Sequence, residues 1–499
     1  MENDPLEIEG PVVPLSERQS SGWDIRNAPR NYTWLMIFQF GSAAFSFAAV
    51  WLINKKIGSE GWGGIFAVIA ASQAAQIFVN WTNTALVRYG VDEFVETASI
   101  ARTFWTRFII LASNLILVLG LAFLWFPPLA KFLQLDAAAF WLVLTHFFVT
   151  ALWTHMQMGL QAAKMLRSQG LLQMVERLLI FTGVAIVIAA GRLDLVTAIL
   201  CYILGPAAMT AAGLWQLRGV ILTPFSFDAR TRNKIILYSL PLFPFMLVGY
   251  FSGGYFDALF VTTLMSKADL GIYSIATQIN GIVLQLPTLA NTMLLPLFVT
   301  LQREDQHERT VSYVRNIVPS LTLAWGLACT LFAFVCVFAV PFIFGSEYRP
   351  MTAPLWILLT AAVIGMPVAI GYSALSNAAA MTYVAMVAAI LSSAANVVGN
   401  FTLIPRYGLI GCAAATMVAF FVSMASFAIL MNRGAKTPVS WNFIAFAPCI
   451  VGAISFIVSE DAFLGLAVCA AASVLVAIAF RTSIWRTWNF IAAMGTRQS

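Results

Sequence analysis

The chain has 499 residues, of which 60% are hydrophobic and only 10% are charged, and its formal net charge is +6. Soluble globular proteins carry about 25% charged residues, so this composition excludes a soluble enzyme or binding domain. Its apolar runs are continuous over about 20 residues, which is the length of a membrane-spanning helix. The predicted fold class is therefore all-α, as a polytopic membrane protein.

Fourteen apolar segments, each long enough to span a bilayer, follow one another along the chain. Residues 1–31 precede them and are polar, acidic and rich in proline, which predicts a disordered cytoplasmic tail. The predicted spans cover residues 32–54, 62–83, 104–126, 138–160, 170–190, 195–217, 235–256, 270–299, 316–338, 353–372, 383–403, 409–431, 441–458 and 464–480.

Basic residues between these spans are distributed unevenly. With a cytoplasmic N-terminus, 21 of the 28 Lys and Arg residues fall on the cytoplasmic side and 7 on the opposite side. This is the asymmetry expected of a membrane protein whose two termini are both cytoplasmic. The positive net charge therefore reflects membrane topology and contact with membrane lipids, and it predicts no nucleic-acid partner.

An internal repeat divides the spans into two groups. Residues 64–68 (GIFAV) at the start of the second span resemble residues 271–275 (GIYSI) at the start of the eighth, at an offset of 207 residues. This offset places the matching spans in the same orientation, so it predicts two six-helix lobes as parallel repeats. The predicted domains are lobes at 32–217 and 235–431, a cytoplasmic linker at 218–234, two additional helices at 432–481 and an interfacial tail at 482–499.

Polar side chains recur at helical spacing inside four of the spans. Such stripes must turn away from lipid, either to form hydrogen bonds between helices or to line a polar cavity between the lobes. Because they occur in both predicted lobes, a shared cavity is favoured. The candidate cavity residues are Gln73, Gln76, Asn80 and the following Arg88, then Gln157, Gln278, Gln285, Asn396 and Asn400.

Three ionisable positions in or near the apolar segments are candidates for ion coupling. Glu176 and Arg177 precede an apolar run too short to span the membrane alone, so the helix must draw them below the headgroups. They form either an interfacial pair or a cavity cation beside a titratable carboxylate. Asp257 is either a solvated loop acid or a coupling residue, and His146 is either structural or a proton carrier.

Motifs for catalysis and cofactor binding are missing from the sequence. It has no phosphate-binding loop of the form GxxxxGK[ST], no HExxH and no CxxC. The six cysteines all fall in or beside apolar spans and are predicted to be small buried residues. We therefore expect neither a cofactor nor a metal site, and we expect the protein not to be an enzyme.

Several segments together resemble the oligosaccharide-lipid flippases, a family related to the multidrug and toxic compound extrusion transporters. Residues 396–416 (NVVGNFTLIPRYGLIGCAAAT) resemble the late signature of that family, with Cys412 where Gly or Ala is usual. Residues 270–276 resemble the opening of its eighth span, and residues 344–348 resemble the loop after its ninth. In this signature, Pro405 and Gly408 are expected to form a tight external turn.

The resemblance implies a two-lobed bundle with a central cationic cavity in the bacterial inner membrane. Such a protein moves an undecaprenyl-diphosphate-linked oligosaccharide to the external leaflet by alternating access, for exopolysaccharide, O-antigen or capsule assembly. Its partners would be this lipid-linked substrate, membrane lipids, a polysaccharide polymerase and export machinery. Arg88 and Arg177 would attract the diphosphate, and Glu176 would balance that charge or couple a proton.

Three other functions stay open from the sequence. An ion-coupled multidrug exporter of the same fold would need an acidic cavity for cationic substrates. A membrane glycosyltransferase or polysaccharide polymerase would place catalytic residues in the membrane. A peptidoglycan-precursor flippase would differ in the lipid-linked sugar that it carries.

Overall fold

The computed structural model describes residues 28–132, 136–222, 227–240, 243, 254–303, 306–379, 381–439 and 441–487. Within these ranges the chain is helical and contains no strand. The predicted N-terminal tail lies almost entirely outside the described residues, as do the end of the C-terminal tail and most of the seventh predicted span.

Seven helices make up the first half of the chain. They are α1 (Ala28–Asn80), α2 (Asn83–Thr97), α3 (Ala101–Leu124), α4 (Phe126–Phe132), α5 (Ala137–Ala162), α6 (Leu166–Ala189) and α7 (Leu195–Ile221).

The second half follows the same alternation of long helices and short connections. Its α-helices are α8 (Ala229–Ser239), α9 (Gly254–Leu264), α10 (Lys267–Arg303), α11 (His307–Ser312), α12 (Val318–Phe344), α13 (Thr352–Pro367), α14 (Ser373–Ala378), α15 (Thr382–Ala435), α16 (Asn442–Ala445), α17 (Ala447–Ser459) and α18 (Ala462–Ala479). A 3₁₀-helix (Ser346–Met351) and two π-helical turns (Tyr313–Ile317 and Val368–Tyr372) connect them.

Ten helices in the described part of the chain are long and apolar enough to cross a membrane. Two of these, over Met36–Asn80 and Tyr383–Ala435, are 45 and 53 residues long and contain a sharp break, so each supplies two crossings. The prediction of a polytopic all-α membrane protein is confirmed. The division into two lobes and two additional helices stays a prediction.

Glycines make both breaks in the long helices. Gly58 has φ +68° and Gly408 has φ +57°, in the left-handed region that side chains with a Cβ disfavour. Gly58 lies in the predicted loop at 55–61, and Gly408 lies in the predicted Pro405–Gly408 turn. At both places, two antiparallel spans are joined by a change of direction at one residue.

Aspartate side chains cap the N-terminal ends of several helices. Asp194 accepts hydrogen bonds from Thr197 N at 2.8 Å and from Thr197 Oγ1 at 2.8 Å, which satisfies an orphan donor in the first turn of α7. These bonds lower the pKa of the Asp194 carboxyl. Asp228 and Asp461 cap α8 and α18 in the same way.

Helix α1 is the element that joins the two halves. It packs against α5, α6 and α7 of the first half and against α9 and α10 of the second. The largest buried cluster accordingly mixes residues from both halves, including Trp62, Tyr202, Tyr273 and Trp356. All six cysteines are buried, as the sequence predicted, and none of them forms a disulfide bond.

Candidate functional site

A cavity of about 480 Å³ lies where the two halves meet. The parts of α1 before and after Gly58 both line it, together with α5, α6 and α7 from the first half and α10 from the second. Its volume falls in the range of pockets that hold small molecules, about 300–1,000 Å³. The cavity is therefore large enough for a ligand, and it lies where a movement of the halves would reshape it.

Amide and hydroxyl side chains dominate the polar part of the lining. Six glutamines line the cavity: Gln39, Gln73, Gln157, Gln173, Gln278 and Gln285. Ser42, Ser46 and Thr150 add hydroxyl groups, and Trp62, Phe66 and Tyr202 add aromatic rings. Four of the predicted cavity glutamines are thus brought together, while Gln39 and Gln173 were not predicted.

Glu176 and Arg177 both line the cavity from α6. Arg177 Nη2 lies 3.8 Å from Glu176 Oε1, and Trp153 Nε1 donates a hydrogen bond to Glu176 Oε2 at 2.7 Å. The Arg177 side chain is 40% exposed, whereas that of Glu176 is 6% exposed. Trp153 and Arg177 together hold the carboxylate at the cavity wall.

This pair supplies the only Asp, Glu, Lys or Arg among the described lining residues. Its charges cancel formally, so the lining does not meet the expectation of a cationic cavity. His146, the third ionisable lining residue, is buried, and its Nδ1 lies 2.7 Å from Ser72 Oγ.

Gln76 and Asn80 are absent from the described cavity lining and bond to neighbouring helices instead. Gln76 Nε2 donates to Phe147 O at 2.8 Å, and Asn80 Nδ2 donates to Gln76 Oε1 at 2.7 Å. Asn80 Oδ1 accepts from Arg107 Nη2 at 3.1 Å. Gln76 and Asn80 therefore form hydrogen bonds between helices, which was the alternative to lining a cavity.

Arg107 is a fully buried cation that sequence reasoning placed only among the flanking basic residues. Besides Asn80, its guanidinium donates to Asn83 and to Thr82 Oγ1, and it lies 2.7 Å from His155 Nδ1. None of the four partners is a carboxylate. Its position inside the apolar third span was the available signal, because a charge within a span must face the protein interior.

Arg88 lies away from the cavity. It is exposed on α2, and its guanidinium carbon lies 5.6 Å from the centre of the Tyr238 ring on α8. This cation–π contact joins the two halves of the chain at the end of the bundle where α2 begins.

Asp257 occupies a second polar site, inside the second half. It is 2% exposed and lies on α9. Its Oδ1 accepts from Asn400 Nδ2 at 2.9 Å, and its Oδ2 accepts from Thr416 Oγ1 at 2.6 Å and from Tyr273 OH at 3.2 Å. The alternative of a solvated loop acid does not fit this burial.

Asn396 and Asn400 belong to this Asp257 site and are absent from the described lining of the cavity. Asn400 Nδ2 also donates to Asn396 Oδ1 at 2.9 Å, and Asn396 Nδ2 donates to Thr416 Oγ1 at 3.3 Å. Asn400 Oδ1 is buried without a hydrogen-bond partner in the described part of the chain. The site is rich in oxygen ligands, which hard cations prefer, although it contains only one carboxylate.

The halves are in backbone contact beside the break at Gly58. A Cβ on Gly63 would overlap Lys267 O, and a Cβ on Gly271 would overlap Ser59 O. Trp62 Nε1 donates to Ser274 Oγ at 2.6 Å across the same contact. At this end of the cavity the two halves are therefore held together.

A family model described as polysaccharide biosynthesis protein matches residues 28–302, which is more than half of the chain. The chain belongs to the polysaccharide biosynthesis protein family. No curated protein matches the sequence significantly.

The structure of the chain is similar to that of the lipid II flippase MurJ in an inward closed conformation. The TM-score is 0.67 at 14% identity, over 91% of this chain and 98% of MurJ. An inward-facing multidrug resistance transporter of the MATE family in the MOP superfamily matches with a TM-score of 0.54 and 16% identity, over 85% of this chain and 98% of that chain.

The Vibrio cholerae MATE transporter VcmN in its bent form also matches, with a TM-score of 0.50 and 14% identity over 83% of this chain and 100% of that chain. At these identities the likeness shows the fold alone. This family member thus has the fold of a multi-pass membrane flippase or transporter.

Proposed function

We propose that this protein is a flippase that moves a lipid-diphosphate-linked oligosaccharide repeat unit across the inner membrane for exopolysaccharide, O-antigen or capsule assembly. The observation that carries the proposal is a polar cavity between the halves of a MurJ-like membrane bundle, in a member of the polysaccharide biosynthesis protein family. A polar cavity inside a membrane is costly unless it serves a polar ligand.

Alternating access would use the contact between the halves at Gly58. In the orientation that the basic residues predict, this end is the external one, so the contact would close the cavity toward the outside. Opening would separate Gly63 from Lys267 and Gly271 from Ser59. The lipid tail of the substrate would stay in the bilayer while its sugars pass through the cavity.

Arg177 would contact the diphosphate, since it is the one Lys or Arg among the described lining residues. Glu176 would hold the Arg177 guanidinium before the substrate arrives. When the diphosphate replaces Glu176 as the partner of Arg177, Trp153 would keep the Glu176 carboxylate in place. Arg88, exposed on α2, would attract the diphosphate at the membrane surface.

The Asp257 site would couple transport to an ion. A buried carboxylate with only neutral described partners favours uptake of a positive charge, either a proton or a monovalent cation beside Asn396 and Asn400. Because α9 and α15 both contribute to the site, ion binding would change how these helices pack. His146 and Glu176 are the other groups that could carry a proton.

The test is translocation of a polyprenyl-diphosphate oligosaccharide in proteoliposomes, measured by the access of an added glycosidase to the sugar. We expect protein-dependent translocation that falls at least about tenfold in Arg177→Gln, as one charge-assisted contact is lost. Arg102→Gln, on an exposed residue outside the cavity lining, should leave the rate unchanged. Absence of translocation by the folded wild-type protein would contradict the proposal.

A deletion strain separates the proposal from the alternatives. Loss of a flippase should leave the lipid-linked repeat unit on the cytoplasmic leaflet at normal length. Shortened polymer with correctly exported units would indicate a polymerase, altered drug sensitivity alone would indicate a drug exporter, and loss of viability through failed peptidoglycan synthesis would indicate a peptidoglycan-precursor flippase.

A further inference from the structure

The charge of the cavity is determined by very few residues. Glu176 and Arg177 are the only Asp, Glu, Lys or Arg in its described lining, and Arg177 Nη2 lies 3.8 Å from Glu176 Oε1. The helices that meet there could still add charge through residues whose side chains are not described.

The sequence removes that possibility for the helices of the bundle centre. No Asp, Glu, Lys, Arg or His occurs at 31–54 or 61–80, which lie in α1 before and after its break at Gly58. None occurs at 235–256, which leads into α9, or at 270–302 in α10. The cavity is therefore formally neutral apart from one matched pair of charges.

Some polar groups of the lining have no protein partner. Ser42 Oγ, Thr150 Oγ1 and Gln278 Nε2 are buried without a hydrogen bond to any described residue. A buried polar group left in this state costs about 1–3 kcal/mol.

The chemistry of these groups restricts the ligand. A glutamine amide both donates and accepts, as hydroxyls do, whereas phosphate and carboxylate groups only accept. Six amides and four hydroxyls, one of them the phenol of Tyr202, thus match a surface of sugar hydroxyl groups. An acidic sugar would bring a charge that, beyond Arg177, no cation of the described lining neutralises, and burying an unpaired charge is costly.

We propose that the cavity selects an uncharged glycan, whose hydroxyl groups are bound by the glutamine side chains of both halves. This inference rests on the proposed function, in which Arg177 serves the diphosphate. It adds that the repeat unit itself carries no acidic sugar. Gln278 on α10 and Gln73 on α1 would form hydrogen bonds to the glycan from opposite halves.

Two matched substrates test this in proteoliposomes: a polyprenyl-diphosphate carrying a neutral tetrasaccharide, and the same lipid with one hexose replaced by a hexuronic acid. We expect the neutral lipid to be translocated at least about tenfold faster, as 1.4 kcal/mol corresponds to a factor of ten. Equal rates, or faster movement of the acidic lipid, would overturn the inference while leaving the proposed function intact.

Two variants and one control test the role of the cavity glutamines. Gln278→Leu should slow the neutral lipid by about tenfold, and Gln302→Leu, exposed on the same helix, should not. Gln73→Arg adds a cavity cation and should raise the rate of the acidic lipid relative to the neutral one. No change in that ratio in a folded Gln73→Arg protein would also overturn the inference.

Binding of the free tetrasaccharides separates this inference from the proposed function. Thermal stabilisation by the neutral sugar and not by the acidic one, with no translocation of either lipid, would support the neutral glycan site and reject the flippase. Absence of both binding and translocation would reject both.

Discussion

Two buried charges of opposite sign, one in each half of the chain, are hydrogen-bonded without a partner of opposite charge in the described residues. Arg107 is hydrogen-bonded to side chains of α1, α2 and α5 and to Thr82, which lies between α1 and α2. Asp257 is hydrogen-bonded to side chains of α10 and α15. A charge inside a membrane bundle is retained only where such bonds replace its hydration. Each charge therefore organises the packing of the helices around it.

Removing the Arg107 charge should destabilise the first half. Arg107→Met keeps much of the side-chain volume but leaves Asn80, Asn83 and His155 without their donor, so we expect a loss of about 3 kcal/mol in the free energy of unfolding. The measurement is thermal unfolding in detergent. Arg102→Met, five residues earlier and exposed, is the control, and equal effects of the two variants would contradict this role.

Removing the Asp257 charge should uncouple transport from an ion while preserving the fold. Asp257→Asn retains an oxygen that accepts from Asn400 or Thr416, so its unfolding temperature should remain near that of the wild type. The dependence of translocation on an imposed Na⁺ or H⁺ gradient should disappear. The control is Asp461→Asn, at a helix N-cap where Asp and Asn serve equally, and it should retain the dependence on the gradient. If Asp257→Asn also retains that dependence, Asp257 is not the coupling site.

At the scale of elements, α1 and α10 cross very closely where the two halves meet. Gly63 and Gly271 face each other's helix so closely that a methyl group on either would overlap a backbone oxygen. Small residues permit such approach between membrane helices. The matching segments found in the sequence, 64–68 and 271–275, begin at or beside these two glycines.

A methyl group at this crossing should separate the halves. Gly271→Ala gains helix propensity of about 1 kcal/mol, yet we expect a net destabilisation of about 2 kcal/mol from overpacking. Gly281→Ala on the same helix meets no atom within 4 Å and should be neutral or stabilising. The two variants are compared by thermal unfolding, and a stabilised Gly271→Ala would show that the crossing is not tight.

Helix periodicity explains why only part of each polar stripe was placed correctly. Gln73, Gln76 and Asn80 share one face of α1, as their spacing predicted. Along the axis, however, that face first borders the cavity at Gln73 and then packs against α5 and Arg107. The spacing identifies the face, while the neighbouring helices decide what the face meets.

At the scale of the whole molecule, the distribution of basic residues predicts the orientation in the membrane. All six native cysteines are buried, so an introduced cysteine can be labelled against a low background. We expect Arg192→Cys, between α6 and α7, to react with an impermeant maleimide in intact cells. Arg230→Cys, at the start of α8, should react only after permeabilisation, and the reverse pattern would invert the predicted topology.

The sequence by itself determined the membrane class, the helical fold and the family, because these depend on local properties: the length of apolar runs, the glycines at turns and a linear motif. It also located Glu176, Arg177 and four cavity glutamines. Only the tertiary structure decided that Asn396 and Asn400 join Asp257 in a separate site, and that Arg107 is buried.

The tertiary structure also decided that the described cavity lining is formally neutral. The physical reason is that hydropathy and spacing report how one helix meets its solvent. The partner of a polar side chain, and the balance of charge around a cavity, depend instead on distances between helices that are far apart in the chain.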